Sequence, residues 1–398
     1  MADKINFLKL EKERASKRKL EKKVRYIPEE CVSNILVRLP LQSLPKAMLV
    51  CKTWNETINA DIFTREYLER TETGLICLVR RNPPSSEHKL QEKTNFFSVE
   101  SELLRLQSMP VLHQPFVDPT SFPQLQFLEV RDFKVKTKEY NATCEGKIRA
   151  CCAGLIIVDN KRKRGGLVAL NPVTRKLLAL PVGTITNNDR ESYGLARCPS
   201  SNHFKLVHLF RNDLQRSECE ILTVGEESWR TVDGPSFGLY AWYGYHPVFA
   251  IGAINWIPFR ACGEYIISMT LDDEKFQKIS LPKTTTSQDR IVEIRGQLGF
   301  VGREEGSCRF GVWCLKSLSG KSWAKQYTIP VKGIDDPIPL YFTRIGGEMM
   351  IFKHRDGGLY AYNFSSDSKV MQKLEMQSKF FSECLCYFPH VNCLLSWK

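Results

Sequence analysis

The chain has 398 residues, 42% of them hydrophobic, and 57 Lys or Arg against 44 Asp or Glu give a formal net charge of +13. That is apolar material and length enough for a small module beside a large one, and no run approaches the ~18–20 apolar residues of a membrane-spanning helix. Residues 1–25 lack the apolar stretch of a secretory leader, and the 14 cysteines are scattered with no CxxC pair, so neither secretion nor a zinc knuckle is expected.

Charge is concentrated at the start. Residues 1–25 hold ten Lys/Arg and four Asp/Glu, so +6 of the +13 lies there. With few apolar side chains, this segment is expected to be a basic flexible tail or a solvated helix. Its simple reading is a solubilising tail; its functional readings are a nuclear import signal through Lys17-Arg18-Lys19 or a contact for a polyanion. The cysteines mostly interrupt apolar strings, as Cys77 does in LICLV and Cys314 in VWCL, and are read as buried free thiols of a reducing compartment.

From Tyr26 to Arg70 the apolar period is helical. Cys31, Val32, Ile35, Leu36 and Leu39 fall on one helical face, opened by Pro28-Glu29-Glu30 and stopped by Pro40. Ser43 is placed to cap a second short helix with Leu44, Ala47 and Met48, which Pro45 would shorten. Val50, Cys51, Trp54 and Ile58 form the stripe of a third, and Asp61-Ile62-Phe63 opens a further turn or helix. Three such helices carry more apolar positions than they can hide from water, and the surplus points to a partner.

The string Ile27-Pro28-Glu29-Glu30, then Ile35-Leu36-Val37-Arg38-Leu39-Pro40-Leu41-Gln42-Ser43-Leu44, then Val50-Cys51-Lys52-Thr53-Trp54 resembles the F-box in register and without a gap. Ile27 stands where many members have leucine. The resemblance implies docking onto the Skp-type linker protein of an SCF ubiquitin ligase and, through it, onto cullin and RING subunits. Pro28, Ile35, Leu39, Pro40, Leu44, Val50, Cys51 and Trp54 would then form or support the docking surface. Each of these apolar residues also has a simpler reading as module core, and Ile35 and Val50 suit either.

Beyond Arg70 the helical period gives way to short β-rich strings, among them Leu75–Val79, Leu155–Val158, Leu206–Phe210, Tyr265–Leu271 and Met349–Lys353. Two markers repeat. Gly252, Gly299 and Gly346 follow one another at 47-residue steps, as do Trp229, Phe276, Trp323 and Val370. A period of ~40–50 residues with several strands per unit fits β-propeller blades. Adding Leu103 and Lys176 to the second marker gives six. Phe380–Trp397 would complete the first blade beside Leu75–Arg80, which removes a sheet edge. The expected fold is α+β multidomain: residues 1–25 a tail, 26–70 a three-helix module, 71–398 an all-β domain, most simply a six-bladed propeller, with a β-sandwich as the alternative.

Cys152-Ala153-Gly154-Leu155, Asn171-Pro172-Val173-Thr174-Arg175, Gly225–Arg230 and Gly252-Ala253-Ile254-Asn255-Trp256 resemble the F-box-associated domain of plant F-box proteins. Ala153 replaces the usual Asn, and Ile257-Pro258 breaks the usual string after Trp256. The resemblance implies a recruiting role without naming a target.

Chemistry is sparse by comparison. There is no HExxH, no GxSxG and no phosphate loop. Asp272-Asp273-Glu274 and Lys161-Arg162-Lys163-Arg164-Gly165-Gly166 read as solvated hairpin turns. Tyr240–Tyr245 carries aromatics suited to a binding face or to packing. No catalytic residue, cofactor or metal is expected, and no specific nucleic acid or membrane partner. The expected protein is a non-catalytic substrate-recognition adaptor of nucleus and/or cytoplasm, with an unidentified protein target. A non-degradative F-box scaffold and a propeller lectin or carbohydrate enzyme are the alternatives.

Overall fold

The computed structural model describes residues 27–79, 97–98 and 123–397, apart from 145, 161–162, 187–190, 213, 215, 237–245, 259–264, 283–288, 305, 321, 332, 344–347, 355–356, 377–385 and 396. The basic segment 1–25, Leu103, Gly346 and the aromatic string 240–245 lie outside these residues. The chain divides between Glu69 and Arg70 into two compact units.

The first unit is helical: α1 (Glu29–Leu36), a 3-10 turn (Leu41–Ser43), α2 (Leu44–Met48), α3 (Lys52–Asn59) and α4 (Asp61–Arg70). There are four α-helices where the stripe pattern predicts three and a further turn or helix. Glu29 and Glu30 occupy the first turn of α1, where carboxylates oppose the helix dipole favourably. The helix ends at Leu36, ahead of Pro40, because Arg38 and Leu39 tighten into i→i−3 bonds with Ile35 and Leu36. Pro45 lies in the first turn of α2, where its missing N–H costs nothing. Leu36, Val37, Leu44, Ala47, Ile58, Phe63 and Tyr67 form the buried interior, with Phe63 and Tyr67 stacked at 6.1 Å.

The second unit is all β. It opens with β1 (Gly74–Val79), β2 (Phe97–Ser98), β3 (Gln124–Arg131) and β4 (Lys134–Thr143). Four-stranded sheets follow: β5 (Ile148–Cys152), β6 (Leu155–Asn160), β7 (Gly166–Asn171) and β8 (Lys176–Ala179); β9 (Glu191–Arg197), β10 (Phe204–Arg211), β11 (Ser217–Thr223) and β12 (Arg230–Val232). Next come β13 (Val248–Ala250), β14 (Ala253–Trp256), β15 (Tyr265–Thr270) and β16 (Phe276–Ser280); β17 (Arg290–Ile294), β18 (Gln297–Arg303), β19 (Arg309–Leu315) and β20 (Ala324–Pro330). The last is β21 (Ile338–Phe342), β22 (Met349–Lys353), β23 (Leu359–Asn363) and β24 (Gln372–Lys373). The chain then returns to the opening sheet, where β25 (Glu375–Met376) joins β4 and β26 (Phe388–His390) joins β1, with Gly74 opposite His390.

These six sheets are the blades of a propeller, as the 47-residue period predicts. The inner strands β26, β5, β9, β13, β17 and β21 touch in that order, and β21 meets β26 again, closing the ring. The closing strand falls within the predicted segment 380–397. There is no single central core. Six apolar clusters lie one in each wedge between neighbouring blades, which is why inner and middle strands are buried on both faces and read as continuous apolar runs.

Strand order defines two faces. One carries the turns from first to second and from third to fourth strand of each blade. The other, called here the connector face, carries the second-to-third turns and the blade-to-blade links.

The repeat markers resolve into two physical features. Trp229 and Trp323 stand beside β12 and β20, and each donates its indole N–H back to the preceding blade, to Pro181 O (2.8 Å) and Ser280 O (2.7 Å). The glycine marker is partly coincidental. Gly252 occupies a two-residue turn at φ 75, but Gly299 lies inside β18, and the matching turn glycine of the fifth blade is Gly296 at φ 78.

Candidate functional site

The helical unit keeps its interior small and leaves large apolar side chains in water. Ile35 is 52% and Val50 62% exposed, and Pro28, Pro40 and Cys51 are exposed. Leu39 and Trp54 are half-buried, while Leu44 is buried in the module and underpins the surface from within. The stripe on α1 therefore splits: Leu36 turns inward, and Cys31 and Ile35 turn out. Val50 and Cys51 precede α3 rather than riding on it. Leu49, at 86% exposure, and Ile62, at 72%, belong to the same set of bare side chains. They escape a helical-stripe reading because Leu49 lies past the end of α2 and Ile62 at the start of α4.

The thiols follow the fold rather than one rule. Cys77, Cys144, Cys198, Cys219, Cys314 and Cys393 are buried, but Cys31, Cys51, Cys308 and Cys386 are exposed, against the expectation of burial. Cys262 and Cys384 lie outside the described residues. Cys151 Sγ lies 2.8 Å from His390 Nδ1 at the seam between the second blade and the closing strand, and burial pushes the His390 imidazole down to about 3.

The propeller encloses an axial cavity of about 450 Å³, lined among others by Arg149, Tyr193, Arg290, Tyr341 and His390. Beside it lies a buried ionic cluster. His208 Nδ1 is 2.8 Å from Glu220 Oε1 and Nε2 is 3.1 Å from Glu191 Oε2, with Tyr193 stacked on the ring at 4.3 Å. Burial, the largest influence, favours neutral imidazole, yet the hydrogen bonds and charges of the two carboxylates outweigh it and hold His208 above the usual value of 6.5. Burial likewise works against the charge on Glu191 and Glu220, but His208 and further donors, Thr186 for Glu191 and Thr184 for Glu220, keep both carboxyls low. Arg149 of the second blade joins Asp159 to Glu191 of the third, so the cluster bridges two blades.

The Asp272-Asp273-Glu274 turn is more than solvated charge. Asp273 is exposed, but Glu274 receives Lys205 at 2.8 Å and Arg230 at 2.6 Å, both from the preceding blade. The Lys163-Arg164-Gly165 part of the basic string is an exposed turn between β6 and β7, as expected. Among the described residues no three His, Cys, Asp or Glu side chains converge to hold a metal ion, and no helix is long and apolar enough to cross a membrane.

Two family models match the chain: an F-box domain over residues 26–66 and an F-box associated beta propeller domain over residues 92–386. Among similar curated proteins, the putative F-box protein At3g10240 of Arabidopsis thaliana is 24% identical over 323 residues, 78% of this chain and 73% of that protein. The F-box/kelch-repeat protein At3g23880, also of Arabidopsis thaliana, is 24% identical over 357 residues, 85% of this chain and 88% of that protein. Solved structures give weaker likenesses. An oligogalacturonate lyase in complex with manganese has 9% identity and a TM-score of 0.41 over 64% of this chain and 70% of that one. TolB from Acinetobacter baumannii has 11% identity and a TM-score of 0.44 over 80% of this chain and 67% of that one.

Proposed function

Since this chain belongs to the F-box proteins that carry an F-box-associated β-propeller, we propose that it is the substrate-recognition adaptor of an SCF-type ubiquitin ligase. The helical unit binds a Skp-type linker, which carries cullin and RING subunits, and the propeller holds the target protein. The adaptor makes and breaks no covalent bond; it raises the local concentration of target beside a charged conjugating enzyme. Nucleus and cytoplasm are the compartments proposed for it.

The observation that carries this reading is the exposure of Ile35, Leu49, Val50 and Ile62 on a unit with a well-formed interior of its own. Covering such a side chain is worth roughly 1.5–3 kcal/mol each, a strong drive toward a partner and a liability without one. Because Ile35 and Val50 point into water, Asp substitutions there spare the interior. Ile35→Asp with Val50→Asp is expected to weaken binding to a purified Skp-type linker by about 30-fold or more, with an unchanged circular dichroism spectrum. Retention of the linker by the folded double variant would defeat the assignment. In a reconstituted ligase the same variant should stop target ubiquitination.

A further inference from the structure

One sector of the connector face differs from the rest. The β6–β7 turn carries Lys163 and Arg164 into solvent, and no carboxylate among the described residues pairs with either. Gly165, at φ 69, sets this turn against the link from the second to the third blade: a Cβ there would lie 2.8 Å from Ile185 Cγ1. Ile185 is 50% exposed. Leu214, in the β10–β11 turn of the neighbouring blade, is 75% exposed, and Arg216 in the same turn is exposed too. Second-to-third turns and blade links share one face by strand order. Two adjacent blades therefore present unpaired cations and bare aliphatic side chains together. Around the rest of that face the exposed charges are mixed, with Asp233 and Asp335 on links farther round the ring and Lys147 on the link into the second blade.

We infer that the sector formed by Lys163, Arg164, Ile185, Leu214 and Arg216 receives a short acidic peptide segment with apolar anchors. This rests on the adaptor reading above and names the target chemistry it would serve. The cations set the sign of the partner and speed the encounter. Exposed charge pairs hold little by themselves, so the residence of the peptide comes from apolar anchors covering Ile185 and Leu214. A nucleic acid uses the cations but gains nothing from the aliphatic pair.

The test uses the full chain and three fluorescein-labelled probes in polarisation titrations. The first is a pool of peptides of about twelve residues alternating Asp or Glu with Leu, Ile or Phe, the second an oligo-glutamate of equal charge, and the third a single-stranded DNA of equal charge. The acidic-apolar pool is expected to bind most tightly, and more weakly as salt rises. Lys163→Glu with Arg164→Glu should weaken it about tenfold or more, and Ile185→Ser with Leu214→Ser by a similar factor. Both substituted pairs lie on exposed turns, and thermal unfolding confirms that each variant stays folded. Equal or tighter binding of oligo-glutamate or DNA would overturn the inference, as would indifference of the peptide pool to either variant pair or no binding at all. Linker binding by the same samples separates the two readings: it persists if only this sector is misassigned, and it fails if the adaptor assignment itself is wrong.

Discussion

Ala153 holds a left-handed backbone conformation, φ 43, in the two-residue turn between β5 and β6, with Gly154 following at φ 82. Both central residues at positive φ make a type I′ hairpin, for which Asn-Gly is the natural pair. An alanine there costs about 1–2 kcal/mol that an asparagine largely avoids. Ala153→Asn is therefore expected to raise the unfolding free energy by up to about 1 kcal/mol, read as a higher urea midpoint at constant slope. Asn171 shows the opposite case, a residue working at full capacity. Its Oδ1 accepts the Val173 and Thr174 amides, and its Nδ2 donates to Cys393 O (3.0 Å) and Leu395 O (2.8 Å). Asn171→Ala should cost about 3 kcal/mol by leaving buried groups unpaired, and early proteolysis should clip the segment after His390. The Asn-Pro string was legible as part of the resemblance to the F-box-associated domain. Its grip on the chain end was not, because the partners lie more than two hundred residues away and are backbone carbonyls, which carry no sequence signature.

Among the elements, β9, β10 and β11 share the buried cluster of His208, Glu191 and Glu220, which sets a pH window. His208 has its folded pKa raised, so its stabilisation is complete below the unfolded imidazole value and is lost as pH rises through the folded one. Glu191 and Glu220 have theirs lowered, so their share is present above the unfolded carboxyl value and is lost as pH falls through the folded ones. Urea midpoints should be highest between the two ranges and decline on both sides. His208→Gln is expected to cost about 3–5 kcal/mol, by leaving two buried carboxylates without their cation, and to abolish the alkaline decline. The pairing could not be read from sequence, since a lone histidine between apolar residues looks like core until β9 and β11 bring carboxylates to both of its nitrogens. Glu274 was misread for a related reason: its cations come from a different blade. Three helices and their order were legible, with the fourth left as a turn or helix, but their facing was not, because a small module divides one stripe between its interior and its surface.

At the scale of the molecule, the repeat period was enough to anticipate six blades and a returning C-terminal strand. The blade interiors advertise themselves as apolar strings, and a ring of such sheets can lose its open edges only by closing. The opening blade was the hardest to place, with Leu103 as its marker, because its strands come from both ends of the domain. Closure rests on three residue pairs between β1 and β26. Deleting residues 388–397 should uncover Leu75 and Ile76 along β1 and loosen two wedges at once, since Phe388 belongs to the cluster between the first and second blades and Leu395 and Trp397 pack against the one between the second and third. The expected result is a broad, non-cooperative unfolding transition and strong binding of an apolar dye, whereas a sharp transition at the full-length midpoint would refute the closing role. The same seam governs synthesis. While a ribosome still holds residues 388–390, blades two to six can assemble in order, but the ring stays open with an unpaired strand beside it. The helical unit, which precedes the propeller along the chain, is free to fold throughout that interval, so on a nascent chain the helices can be complete while the ring is still open.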